Sequence, residues 1–313
     1  MNKIRGKAPM RISFAGGGTD LDYVLKKSGG AVINCTIDKY RQMTIEKRKD
    51  KKIMINNIKL SKKEKLAYEI INHYKPKYGF NLYYYNDIEP ENGLGGSSSF
   101  TILLLKMLFE LDDIFISDYD IVKIAYEIEN KIKECGWQDQ YACSIGGFNF
   151  MDFSDKHIIY PLRLRYRFLQ DLNEHLLLVK VIGKKDDIHK NIRKFTEKNN
   201  EEIDKIKIMK NIAIKIRDEL LKCNLNNIGF LLDENWNLKR NKFNCNKKID
   251  NLYNLGLKNG AEGGKMCGSG QCGYFLFFVK PENKNKLLSS LNKYEILNFN
   301  FINTGVETWN YIN

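Results

Sequence analysis

The chain reads as a mixed α+β protein in two parts, on three observations. Strand-like alternation and helix-length apolar runs succeed one another through the first half. The second half opens on a strand and continues with long polar helices. Three glycine-rich loops fall at the ends of these segments, with no low-complexity linker between them. A length of 313 residues accommodates two packed domains or one large one, and the boundary is expected near residues 169–172, giving parts 1–170 and 171–313.

In order, residues 10–14, 31–37 and 41–48 predict strands, and 64–75 an amphipathic helix. Phe80, Leu82 and Tyr84 alternate with Asn81, Tyr83 and Tyr85 as on a strand. A Gly/Ser loop leads into an apolar run of helical length, 100–111. Ser117-Asp118-Tyr119-Asp120 resembles a capping box with Asp in the fourth place, ahead of a helix over 121–133. Residues 146–153 read as a strand. The second part has a strand at 175–182 and helices at about 187–200, 202–223 and 246–259. A glycine-rich turn then feeds a strand at 274–279, followed by a helix at 282–291 and a strand at 297–302.

Bulk composition narrows the function. The hydrophobic fraction of 43% is ordinary for a globular protein. No apolar run approaches the roughly 20 residues of a membrane span, and Met1-Asn2-Lys3-Ile4-Arg5 leads into no apolar stretch of the kind a secretory signal has, so the cytoplasm is expected. The seven cysteines (Cys35, Cys135, Cys143, Cys223, Cys245, Cys267 and Cys272) show no Cys-x-x-Cys spacing and read as reduced, mostly buried thiols. The net charge of +13 is nearly all Lys scattered through an Asn- and Ile-rich background. Aromatic and basic residues do not interleave in one stripe, so no nucleic-acid groove is expected. A basic surface steers anionic ligands all the same.

Three loops carry the chemistry. In the first, a strand bearing Arg11 runs into Gly16-Gly17-Gly18-Thr19-Asp20. The glycines let backbone approach a ligand. Asp20 is suited to accept sugar hydroxyls, and Arg11 to sit over an anion. A tight turn with a surface Asp explains this loop equally well. In the second, Gly93-Leu94-Gly95-Gly96-Ser97-Ser98 opens an apolar helix, so exposed N–H groups and the helix N-terminus form a phosphate cradle, with a Ser hydroxyl as a Mg²⁺ ligand. No Gly-Lys-Ser/Thr closes it as in a Walker A loop. The third, from Gly264 to Gly273, contains a formal Gly-x-Gly-x-x-Gly, but a strand rather than a helix follows it, so a dinucleotide fold is excluded. Between the second and third loops, Asp139 stands between Gln138 and Gln140 as a candidate base. Glu129, ten residues upstream on a helix with Glu127, is near enough to share a metal–phosphate site. For a Glu taken alone, a solvated helix face is the better reading.

In this order the loops resemble the three motifs of the GHMP kinases, the superfamily of galactokinase, homoserine kinase, mevalonate kinase and phosphomevalonate kinase. Arg11 to Asp20 is similar to the first motif, Gly93 to Ser98 to the second, and Lys265 to Gly273 to the third. Within the superfamily, Gly16-Gly17-Gly18-Thr19-Asp20, Gln138-Asp139-Gln140-Tyr141-Ala142, Gly146-Gly147-Phe148-Asn149-Phe150 and Gly305-Val306-Glu307-Thr308-Trp309 resemble the D-glycero-D-manno-heptose 7-phosphate kinases. The chain departs from the family at Gln271 and Cys272, where Ala or Gly is usual; larger side chains there would narrow the loop that closes over the substrate.

The resemblance implies an N-terminal domain like ribosomal protein S5 domain 2, a ferredoxin-like C-terminal domain, and an active site between them. It implies transfer of the ATP γ-phosphoryl group to the anomeric hydroxyl of a heptose 7-phosphate, with product feeding activated-heptose synthesis for a surface glycan. Ser97 and Glu129 are expected to hold Mg²⁺. Gly93, Leu94, Gly95, Gly96, Ser97 and Ser98 are expected to hold the nucleotide. Asp139 and Arg11 are expected at the reacting hydroxyl, and Gly17, Gly18, Thr19, Asp20, Gly268, Ser269 and Gly270 around the sugar. Trp236-Asn237-Leu238-Lys239-Arg240 ends a short predicted helix and supplies Lys239 as the candidate for the substrate phosphate, although a Lys-Arg pair is as readily a solvated surface. The other readings are a kinase of a neutral sugar such as fucose or galactose, and a catalytically weak nucleotide- or sugar-sensing protein. The expected partners are a sugar phosphate and ATP, with no membrane or nucleic acid, in a monomer or homodimer.

Overall fold

In the computed structural model of the protein, two antiparallel-rich sheets face one another across shared helices. The structure describes residues 3–90, 92–182, 200–240, 247–268, 270 and 272–310. The chain begins with β1 (Lys3–Ala15), α1 (Asp22–Ser28) and β2 (Ala31–Lys47), then a small ribbon, β3 (Ile53–Ile55) and β4 (Ile58–Lys59). Next come α2 (Lys65–Tyr74), β5 (Phe80–Asn86), α3 (Gly96–Leu111), α4 (Asp118–Ile132) and α5 (Gln138–Ile145). The hairpin β6 (Phe148–Asp152) and β7 (Ile158–Pro161) precedes α6 (Tyr166–Glu174) and β8 (Leu176–Val181). The remainder is α7 (Asn200–Leu221), α8 (Ile228–Arg240), α9 (Lys247–Lys258), β9 (Ala261–Met266), β10 (Gly273–Val279), α10 (Pro281–Ser290), β11 (Ile296–Leu297) and β12 (Glu307–Asn310).

β2 organises the first sheet. Its first half, Ala31 to Cys35, pairs with β6, and its second half, Arg41 to Lys47, pairs with β5. The segments 31–37 and 41–48 are therefore one strand. β1 lies along it from Lys3 and is longer than its apolar stretch suggests, because residues 4–7 also pair with β12. The order β12-β1-β2-β5-β3-β4 shows that the last strand leaves the second part of the chain and returns to the first sheet, so a cut at 170/171 does not separate the two sheets cleanly. The second sheet is antiparallel, β11-β8-β10-β9. The strand expected at 297–302 is reduced to Ile296–Leu297 and a single bridge between Ile37 and Phe301. The helix expected at 187–200 lies outside the described residues except for its last position.

Burial follows from the side-chain pattern. α3 is apolar nearly all round, and most of it is enclosed between the first sheet and α2, α4 and α5. The other face of β1 and β2, with Met10, Ile12, Ile33 and Cys35, packs on α7, α8 and the inner face of β8 and β10. α9 and α10 cover the outer face of the second sheet. In α4, Ser117 caps the helix by accepting from Asp120 N at 3.2 Å, and its hydroxyl donates to Asp120 Oδ2 at 2.6 Å. The buried stripe Ile121, Ala125, Ile128 then carries Glu129 onto the inner face. Among the described residues, no helix is long and apolar enough to cross a membrane.

Candidate active site

A cavity of about 580 Å³ opens between the phosphate loop, the first glycine loop and the end of α8. The phosphate loop is held rigidly at its base. Leu94 is fully buried, its N–H donates to Asn92 Oδ1 at 2.7 Å, and its carbonyl accepts from Arg11 N at 2.9 Å. Leu94 thus anchors the loop rather than lining the cavity, whereas Gly93, Gly95, Gly96, Ser97 and Ser98 do line it. The helix starts at Gly96, four residues before the apolar run, so its first-turn N–H groups face the cavity wall as an anion site.

The second acidic centre is Glu129. Ser98 Oγ donates to its Oε2 at 2.8 Å and Gln140 Nε2 at 3.1 Å, while its buried Oε1 has no partner. Burial pushes its carboxyl up to about 7 against the hydrogen bond from Ser98. The expected pair was Ser97 with Glu129. Neighbouring positions on a helix point about 100° apart, so only one of the two serines can face α4. That one is Ser98; Ser97 is exposed at the cavity wall. Among the described residues, no cluster of three or more His, Cys, Asp or Glu is placed to hold a metal alone. An orphaned buried carboxylate oxygen beside a hydroxyl and a phosphate cradle nonetheless suits a Mg²⁺ that takes its other ligands from phosphate and water.

Asp139, in the first turn of α5, faces Arg11. The guanidinium reaches its Oδ1 through Nε at 2.8 Å and NH2 at 2.7 Å, and donates through NH1 to Gly93 O at 2.7 Å. Arg11 is only 3% exposed, so it ties the acid to the phosphate loop from below. Gln138 Nε2 also approaches Oδ1, at 3.4 Å, and Oδ2 takes part in none of these bonds.

Asp20 sits on the other wall and accepts from Gly18 N at 3.0 Å and Gln138 N at 2.8 Å. Burial raises its carboxyl above the usual range against those two bonds. Gly136 packs so closely on it that a Cβ there would lie 2.2 Å from Asp20 Oδ2. Gly17 and Gly18 line the cavity, with Lys239 Nζ 3.4 Å from where a Cβ on Gly17 would stand. Thr19 departs from expectation. It is fully buried, its hydroxyl donates to Ala31 O at 3.0 Å and accepts from Ala31 N at 3.1 Å, and it clamps the loop to β2 instead of facing the cavity.

From the second part of the chain, α8 brings Lys239 into the wall, where burial pushes its ammonium down to about 8 and Asp20 pulls the other way. Its neighbour Arg240 turns away to Asp250 at 2.6 Å and lies over Tyr253. Trp236 is buried edge-on against Phe275. The third loop is a hairpin between β9 and β10, in keeping with the exclusion of a dinucleotide fold. Gly268 reaches the cavity, but its nearest surroundings are the backbone of Gly93, and Gly273 packs on the carbonyl of Asn92. These glycines therefore dock the third loop onto the phosphate loop. Gly270 approaches Trp236. Ser269 and Gln271 lie outside the described residues, and Cys272 is buried and does not line the cavity. Lys265, buried on β9, donates to Ser13 O, joining the second sheet to β1; burial lowers it to about 7.

Sequence reasoning missed the apolar end of the cavity. Ile55, Leu66, Ala67, Tyr84 and Phe100 line a slot beside the phosphate loop, with Tyr84 and Phe100 edge to face at 5.5 Å and Arg41 against both rings. Five separate elements contribute, so the only signal was the inward place of Tyr84 in its alternation.

Family models for the GHMP kinases N terminal domain and the GHMP kinases C terminal domain match residues 64–147 and 216–296. The chain is also 32% identical to D-glycero-alpha-D-manno-heptose 7-phosphate kinase of Campylobacter jejuni, across 99% of both chains. The chain belongs to the GHMP kinase family. Among solved GHMP kinases, a D-glycero-D-manno-heptose 1-phosphate kinase from Bacteriodes thetaiotaomicron superimposes with a TM-score of 0.81 at 27% identity, covering 99% of this chain and 100% of that one. Lactococcus lactis galactokinase, 17% identical, shares the fold with a TM-score of 0.77 over 97% of this chain and 95% of its own. The mixed α+β architecture is thus the GHMP kinase fold.

Proposed function

We propose that this GHMP kinase transfers the γ-phosphoryl group of ATP to the anomeric hydroxyl of D-glycero-D-manno-heptose 7-phosphate, giving the 1,7-bisphosphate and ADP. The full-length likeness to heptose phosphate kinases supports this substrate. The observation in the molecule that carries it is Lys239, a half-buried cation in the cavity wall with no hydrogen-bond partner among the described residues. An ammonium kept from water in this way favours an anionic group on the substrate.

In this reading residues 1–170 supply the phosphate loop, Arg11 and Asp139, and the second part supplies Lys239 and the docking hairpin. N–H groups of Gly95 to Ser98 hold phosphate oxygens. Ser98 and Glu129 would hold Mg²⁺, which would supply neutralisation of phosphate charge when bound. Asp20 and the backbone of Gly17 and Gly18 position the sugar hydroxyls. Asp139 takes the proton of the anomeric hydroxyl through Oδ2 while the new O–P bond forms and the bond to the β-phosphate oxygen breaks. Arg11 keeps that acid oriented and lies close to the developing charge. Phosphoryl transfer asks mainly for positioning and charge neutralisation, so these few groups suffice.

The test is ³¹P NMR of a reaction with ATP, Mg²⁺ and heptose 7-phosphate. A new anomeric phosphate signal with equimolar ADP is expected. Nucleotide binding without turnover on any phosphorylated or free sugar contradicts the proposal.

A further inference from the structure

Arg41 lies on β2 where that strand passes beneath the start of α3. It is 7% exposed. One terminal nitrogen donates to Gly96 O at 3.2 Å, and Nε, fully enclosed, has no partner. Its other neighbours are aromatic, the Phe100 ring at 5.2 Å and the Tyr84 ring at 5.7 Å. Among the described residues no carboxylate pairs with it. Burial pushes its pKa down to about 10, so it stays protonated at neutral pH.

A buried cation without a counter-charge is costly, and rings offset that cost only in part. Here the positive end of α3 adds to it. The fold keeps Arg41 in a cavity wall, with the phosphate loop on one side and the apolar slot of Ile55, Leu66, Tyr84 and Phe100 on the other. A ligand that places a flat base in that slot and phosphates on the loop must carry its first phosphate past the guanidinium.

We propose that Arg41 is a nucleotide-recognition residue, donating to a phosphate oxygen next to the ribose and so selecting nucleoside di- and triphosphates over nucleosides. This rests on the kinase reading above and adds to it a determinant outside the three glycine loops.

The test is isothermal titration calorimetry of the full chain with ADP and with adenosine, in EDTA at fixed salt, for wild type, Arg41→Met and Arg41→Lys. Met keeps the packing on the rings without charge; Lys keeps charge without the planar fork. Arg41→Met should weaken ADP by about tenfold or more, as expected for one charge-assisted bond, and adenosine by less than about twofold. Arg41→Lys should fall between Met and wild type for ADP. At saturating ATP the KM for the sugar substrate should stay within about twofold. Equal weakening of ADP and adenosine, or ADP binding unchanged, overturns the proposal and leaves Arg41 as packing for the slot, as does failure of both variants to fold. A wild-type chain that binds neither ligand overturns the kinase reading first, and this inference with it.

Discussion

Replacing Glu129 by Gln has an effect on stability that can be worked from its surroundings. The carboxyl is raised from 4.5 to about 7, chiefly by burial. The folded chain therefore holds this proton more tightly than the unfolded chain. Stability from this group is greatest below about 4.5, falls as the pH rises, and is fully lost above about 7. A shift of about 2.5 units at 1.36 kcal/mol each puts the cost at roughly 3 kcal/mol at pH 8. Gln carries no charge, so Glu129→Gln removes the pH-dependent part and leaves any packing cost the same at every pH. Urea unfolding of both proteins at pH 8 and pH 5, without divalent metal, isolates it. The stability of the variant relative to wild type should rise by about 2–3 kcal/mol between pH 5 and pH 8. Added Mg²⁺ and ADP should stabilise wild type at pH 8 much more than the variant. A relative stability independent of pH within about 0.5 kcal/mol would show that Glu129 is solvated or compensated, and the metal assignment would lose its main support.

Asp139→Asn keeps the shape and removes the proton acceptor; kcat should fall by about 10²–10⁴-fold with nucleotide affinity nearly intact, measured by ADP release and calorimetry. Activity within a few-fold of wild type would reduce Asp139 to a positioning role. Ser98→Ala and Ser97→Ala, compared across a Mg²⁺ titration, should separate. The first raises the Mg²⁺ requirement and lowers kcat, because of the two serines it is Ser98 that bonds Glu129. The second, at an exposed position, should keep the wild-type Mg²⁺ requirement.

The loops were legible because glycine runs at element ends serve few purposes, and Asp139 because it was a single acid among amides between the second and third loops. Other features depend on side-chain direction, which a motif does not state. Ser97 and Ser98 differ by one helical step, and only the position of α4 decides which meets Glu129. Thr19 matches its motif but turns inward to Ala31, because the glycines before it bend the chain back over β2. The return of β12 to β1 was hidden because Glu307–Asn310 is a short, half-exposed edge strand with little apolar signal. The apolar slot and Arg41 were hidden because contributions came from residues 41, 55, 66, 84 and 100, each unremarkable in its own segment. Arg41 read as one more basic residue in a basic chain, and only its burial sets it apart.

The central claim is that the substrate carries a phosphate recognised by the second part of the chain. The most direct measurement is kcat/KM for heptose 7-phosphate and for free heptose, in wild type and Lys239→Ala. Loss of one charge-assisted bond is worth roughly 1.5–3 kcal/mol, or tenfold and more in KM. Wild type should prefer the phosphorylated sugar by at least that factor. Lys239→Ala should lose most of the preference, leaving free heptose and the KM for ATP little changed. Equal wild-type activity on the two sugars, or a Lys239→Ala variant that keeps the preference, would contradict the account and point to a kinase of neutral sugars.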